Sequence, residues 1–174
     1  AVRKAKRAHG RVDVVVIDYL QIMNLMLQRG ENTVTGIGRI TSGLKQLAKE
    51  ENALVILLSQ LSRAVEQRDN KRPQLSDLRD SGAIEQDADA VIFTYRDDYY
   101  IERAEPPFQK KEAHDQWMVE LDEAEGKLEL IIAKQRMGPI GTVNLHFEKQ
   151  CDLLLNSKKE LKPVEGALDF GGGS

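Results

Sequence analysis

The sequence predicts an α/β fold, a mainly parallel sheet with a C-terminal antiparallel hairpin, from three observations. Val12 to Ile17, VDVVVI, is a run of β-branched residues that stops at Asp18, the pattern of a strand buried on both faces. Val34, Ile37, Ile40, Leu44 and Leu47 then recur at steps of three or four, which predicts an amphipathic helix from Thr33 to about Asn52. Ala53 to Leu58, ALVILL, is a second apolar strand, and strand, helix, strand at this spacing is a parallel βαβ unit. An acid where a central strand stops lies at the carboxyl edge of the sheet, where open α/β folds bind ligands. Asp18 there either holds a magnesium ion beside a nucleotide or simply opens a turn. Gln60 stands at the same edge after the second strand, suited to sensing a terminal phosphate or, equally, to opening a loop.

Composition narrows the class. At 174 residues, 41% hydrophobic and 30% charged, the chain is one domain's worth of ordinary globular sequence. No run approaches a membrane span, and the basic start AVRKAKRAHG has no apolar stretch behind it, so a cytoplasmic location is expected. Cys151 stands alone, which excludes an internal disulfide and a multi-cysteine zinc site. His9, His114 and His146 are too scattered for ligand spacing. The net charge of −3 is unevenly spread: Asp97 to Glu125 holds ten acidic and three basic residues, a balance of −7, which leaves +4 elsewhere. A polyanion is repelled by that segment and tolerated by the rest.

The remaining segments follow in order. Arg3, Lys4, Lys6, Arg7 and Arg11 read as a solvated basic helix face, and Asn24 to Asn32 as a loop. Gly38 to Lys45, GRITSGLK, resembles a phosphate-binding loop, but Leu44 separates the second glycine from the lysine and the stretch lies inside a helical period, so it is rejected. Arg63 to Arg79 is a polar connection, in which Ser76 or Asp77 is placed to cap a short turn, and Gly82 allows close approach of the backbone. Glu85, Asp87 and Asp89 are better explained by a helix leading to a third strand, Ala90 to Tyr95, than by a metal site. Residues 96–126 form an acidic surface insertion with a helix near Lys110 to Glu125. Strands at Lys127 to Lys134 and Thr142 to Glu148 follow, the second alternating as a half-buried antiparallel strand does. Lys134 and Arg136, two apart, point to one side at the mouth of that hairpin, as a solvated turn or as a clamp for anionic charge. Residues 156–174 read as a flexible tail.

Taken together, IDYLQIM, SQLSR, RPQLSDLRDSGAIEQDAD and KQRMGPIGT resemble, in the same order, the C-terminal ATPase domain of DnaB-type replicative DNA helicases, over roughly Arg3 to Glu148. The resemblance implies a partial RecA-like P-loop NTPase core. It implies a homo-hexameric ring with ATP and Mg2+ at subunit boundaries, moving 5′ to 3′ on single-stranded DNA, with primase and a loader as partners. It matches Asp18 to the Walker B acid that holds magnesium through water, and Gln60 to the glutamine coupling the terminal phosphate to the DNA loops. Lys134 and Arg136 match cations that reach a neighbouring subunit's ATP, and Arg79, Asp80 and Gly82 match loop positions on the DNA backbone. The family's P-loop, catalytic glutamate and N-terminal domain would lie upstream of Ala1, so this chain alone is expected to be inactive. Asp80 departs from the glutamate usual there, and the acidic segment is longer than the usual connection. The competing readings are a noncatalytic fragment that keeps interface and DNA-facing surfaces, or another RecA-like ATPase.

Overall fold

The structure, a computed structural model, describes residues 1–26, 32–78 and 82–156. In chain order the elements are α1 (Val2–His9), β1 (Val14–Ile17), α2 (Thr33–Glu51), β2 (Leu54–Leu57), α3 (Gly82–Asp87), β3 (Ala90–Tyr95), α4 (Asp97–Arg103), α5 (Lys111–Ala124), β4 (Lys127–Gln135), β5 (Gly141–Glu148) and β6 (Leu153–Leu155). Short 3-10 turns cover Leu20–Met26, Arg63–Gln67 and Leu75–Asp77. β1 and β2 make a parallel pair, and β3, β4, β5 and β6 an antiparallel sheet in that order. Two compact units result, one of Ala1–Phe93 with Ile131–Gly141, the other of Thr94–Leu130 with the chain from Thr142 onward.

In the first unit the predicted βαβ unit is present, with Val14 opposite Leu54 and Ile17 opposite Leu57. Its helix is closed at both ends by asparagine. Asn32 Oδ1 accepts from the Val34 N–H at 3.0 Å, and Asn52 takes the left-handed conformation, φ 51°, that stops the helix. Ile37 and Ile40 of α2 bury against Leu20, Leu78, Ile84, Val91 and Phe93, each worth about 1.5–3 kcal/mol of apolar transfer. The expectation of a first strand buried on both faces is not met. Val14 and Val16 are 50% and 61% exposed, and their partners Leu54 and Ile56 are 59% and 41% exposed. Side chains alternate across a sheet; Leu57 on the other face packs on the core, and the Val14–Ile56 face is left uncovered by the described residues.

Two other stretches depart from expectation. The expected loop at 24–32 begins inside the 3-10 turn Leu20–Met26, and its residues 27–31 lie outside the described residues. The expected solvated connection after Arg63 contains a built core: Asp77, 3% exposed, accepts Arg68 Nη1 and Nη2 at 2.8 and 2.7 Å and the Gln74 N–H at 2.9 Å. A buried carboxylate needs that many donors to offset lost hydration. Basic α1 is held at the end of α2, Arg3 on Glu50 at 3.0 Å and Lys6 on Glu51 at 2.7 Å.

The second unit holds α4, α5 and the strands around them. α4 and β6 had no sequence signal strong enough to read; β6 pairs antiparallel with β5, Leu155 opposite His146. Asp98 at the start of α4 is fully buried and takes hydrogen bonds from Arg96 Nε and Nη2 at 3.1 and 3.0 Å, with Lys149 Nζ at 2.9 Å. Burial opposes its charge, but the bonds from Arg96 and Lys149 prevail and hold the carboxyl below its usual range. Gly126 between α5 and β4 has φ +70°, and a Cβ there would lie 2.5 Å from the His146 ring, so the turn requires glycine twice over. The tail after 156 lies outside the described residues. Among the described residues, no helix is long and apolar enough to cross a membrane, and no group of three His, Cys, Asp or Glu side chains is arranged to hold a metal ion.

Candidate functional site

The carboxyl edge of the parallel pair carries the first two candidates. Asp18 follows the last residue of β1, and the Leu58 N–H bonds the Ile17 carbonyl at 3.0 Å, so the chain after β2 leaves the sheet level with Asp18. The Leu20 N–H returns to the Leu58 carbonyl at 2.8 Å and locks the two exits together. Gln21, which sequence reasoning passed over, is the staple: its Oε1 accepts the Gln60 N–H at 3.1 Å, while its Nε2 donates to Ser59 Oγ at 3.2 Å and to the Gln60 carbonyl at 3.3 Å. With its backbone fixed from both sides, Gln60 has its side chain turned outward. Asp18 and Gln60 are both exposed, and among the described residues neither side chain makes a hydrogen bond. A cis peptide bond joins Asp18 to Tyr19. The edge thus offers an uncommitted carboxylate and an uncommitted amide on two adjacent, parallel strand ends.

Lys134 lies in β4, and Arg136 follows its last residue, Gln135. They meet the C-terminal end of α3: Lys134 Nζ donates to the Glu85 carbonyl, and Arg136 Nη2 to the Gln86 carbonyl at 2.5 Å. Carbonyls at a helix end lack intrahelical partners and attract cations. Arg136 Nη1 also stands 3.4 Å from Asp89 Oδ1, and the Arg136 N–H bonds the Asp89 carbonyl at 2.9 Å. Lys45 supplies the other cation on Asp89; this hydrogen bond holds the Asp89 carboxyl below its usual range against some desolvation, with Arg136 and Lys134 adding to the effect. The lysine of the rejected GRITSGLK stretch is therefore committed to an aspartate. Asp87, the neighbouring acid, accepts Thr41 Oγ1 at 2.6 Å. The side chains of Asp87 and Asp89 are thus taken up within the chain. The pairing of Lys45 with Asp89 escaped the sequence reading because they are 44 residues apart and only packing of α2 beside α3 unites them. Among the described residues no hydrogen bond or ion pair joins this cation cluster to Asp18 or Gln60.

Of the DNA-facing candidates, Arg79 and Asp80 lie outside the described residues. Gly82 opens α3, is exposed, and has open space where a Cβ would stand.

The family model for the DnaB-like helicase C-terminal domain matches residues 1–156. Replicative DNA helicase DnaB of Rickettsia prowazekii is 47% identical over 157 residues, 90% of this chain. The Geobacillus stearothermophilus protein of the same name is 43% identical over 163 residues, 94% of this chain. The chain spans about a third of the length of these relatives, 32% in each case. Among solved structures, a DnaB-like replicative helicase described with its interactions with primase superposes with a TM-score of 0.71 at 41% identity, covering 88% of this chain and 32% of that one. A second solved structure, an ATPase domain, superposes with a TM-score of 0.69 at 42% identity, covering 90% of this chain and 49% of that one. With its parallel strand ends, its cation-bearing β4 and this match over 156 residues, the chain belongs to the DnaB-like helicase C-terminal domain family.

Proposed function

We propose that the chain is part of the motor domain of a replicative DNA helicase, residues 1–155 forming the C-terminal part of a RecA-like ATPase core with residues 96–126 as an acidic insertion. In this reading the whole protein is a cytoplasmic homo-hexameric ring, driven by ATP 5′ to 3′ along single-stranded DNA to unwind the duplex. The observation that carries it is the register that puts Asp18 and Gln60, both uncommitted, at one edge of β1 and β2. An exposed carboxylate is a hard oxygen donor of the kind Mg2+ accepts while keeping most of its waters. The ion, when bound, offsets phosphate charge. Asp18 orients it, and the Gln60 amide, which both donates and accepts, reads the terminal phosphate and passes its state to the following chain.

The cation cluster supports action across a subunit boundary. Lys134 and Arg136 rest on carbonyls, and Arg136, 48% exposed, keeps only a loose 3.4 Å contact with Asp89. A guanidinium so held exchanges neutral partners for a triphosphate, a stronger bidentate match. In this reading the phosphate they serve is a neighbour's. Arg79, Asp80 and Gly82 contact the DNA backbone without reading bases, and primase and a loader dock on the assembled ring.

The test mixes two defective subunits in the whole protein. Arg136→Ala alone is expected to leave nucleotide binding nearly intact and to cut turnover by roughly 10³. Rings mixed with Asp18→Ala subunits contain some junctions with both residues intact, so part of the ATPase activity returns. No recovery, in rings whose mixed composition is verified by mass, refutes the assignment in trans.

A further inference from the structure

The acidic insertion carries an apolar-floored groove that the helicase reading does not use. α5 presents two stripes. On the inner one, Trp117 donates Nε1 to the Ile101 carbonyl of α4 at 2.7 Å, its ring centroid 5.2 Å from that of His114, and Ala124 is buried. On the outer one, Asp115, Met118, Val119 and Asp122 recur at steps of three and four and so form a single face. Met118 and Val119 are 54% and 58% exposed. With Glu102 of α4 and Lys149 beyond β5 they line a groove of about 590 Å³.

Its charge is one-sided. Glu102, Asp115, Asp122 and Glu125 ring the groove against one ammonium, Lys149, a net of −3. That ammonium is spent on Asp98 at 2.9 Å and on Glu102. The outer carboxylates of α5 therefore face solvent without a cation in the groove to answer them. A single exposed apolar side chain is ordinary, but two adjacent ones flooring a concave site with an acidic rim form a complementary surface. Methionine suits such a floor, because its unbranched, polarizable chain adapts to what is laid on it.

We infer that this groove docks a lysine- and arginine-bearing amphipathic helix of a partner protein. The apolar stripe of that helix covers Met118 and Val119, and its flanking cations pair with Asp115, Asp122 and Glu125. The stretch from Asp115 to Glu125 rises about 15 Å along α5, which sets the length of the docked helix at about three turns. Nucleic acid is the wrong partner here, since its phosphates meet the same carboxylates with like charge.

The probe is a fluorescein-labelled 14-residue helical peptide of leucine and lysine in a 3.6-residue period, titrated by anisotropy with the whole protein. Saturable binding is expected, weakening as salt rises. The double substitution Asp115→Lys, Asp122→Lys is expected to weaken it at least about tenfold. Met118→Ser with Val119→Ser, which keeps every charge, is expected to weaken it at least about fivefold. All four residues are exposed and outside the ATPase machinery, so thermal stability and basal activity stay unchanged. A peptide of equal charge with serine in place of leucine tests the floor separately. The inference is overturned if the peptide does not bind, if the charge reversal leaves its affinity within about twofold, or if the serine peptide binds as tightly.

Discussion

Asp98→Asn removes one negative charge from the centre of the second unit and little else. Asp98 is 0% exposed and holds three charged hydrogen bonds, from Arg96 at 3.1 and 3.0 Å and from Lys149 at 2.9 Å. Losing one partner of a buried ion pair costs about 3–5 kcal/mol. Here Arg96 and Lys149 retain 26% and 31% side-chain exposure, and Lys149 keeps Glu102, so water and a second acid compensate in part. The expected loss is therefore at the low end, about 3 kcal/mol, or a fall in Tm of about 6–12 °C for a chain of this size. Asp13→Asn is the control: Asp13 meets Arg11 at 3.1 Å with both side chains mostly exposed, and less than about 0.5 kcal/mol is expected. The assay is urea unfolding followed by fluorescence of Trp117, the chain's single tryptophan, which is bonded to α4. The pH dependence has a definite sign. The folded pKa of Asp98 lies below the value of about 3.9 for a free aspartate. Its ionised form thus stabilises fully above that value, and the contribution disappears as pH falls through the folded pKa. The gap between wild type and Asp98→Asn should close on acidification. A difference under about 0.5 kcal/mol at neutral pH, or one undiminished near pH 2, refutes the reasoning.

Asp77→Ala strands Arg68 and frees the Gln74 N–H, and is expected to cost about 3 kcal/mol, whereas Arg136→Ala, at a half-exposed and loosely paired site, should cost under about 1 kcal/mol; melting curves of the two variants separate a structural role from a functional one. Gly82→Ala meets open space, so its Tm should stay at the wild-type value while single-stranded DNA binding by the whole protein falls. Arg79→Ala should weaken that binding equally for all sequences and lower the salt slope by about one, as loss of a phosphate contact does; an unchanged slope excludes the contact. The 174-residue chain by itself contains no GxxxxGK[ST] loop and is expected to bind Mg·ATP far more weakly than the micromolar range, which calorimetry checks.

Local pattern alone determined much of this protein. The βαβ unit, the third strand, the helix near 110–125 and the hairpin all follow from runs and periods within one segment, because periodicity records which face meets the core. The edge positions of Asp18, next after β1, and of Gln60, three residues past β2, were legible for the same reason: polar residues that follow an apolar strand leave at the sheet edge. The short α4 and β6 are too brief to establish a period. Partner choice among charges was decided by the tertiary structure alone. Lys45 with Asp89, Arg68 with Asp77, Lys149 with Asp98, and Lys134 and Arg136 with the end of α3 join residues up to 51 positions apart. A cation in the sequence looks the same whether water, a carbonyl or a buried acid will receive it. Only packing brings those partners together and, at Asp77 and Asp98, removes the water, so that each charge there is bound to the neighbour the fold supplies.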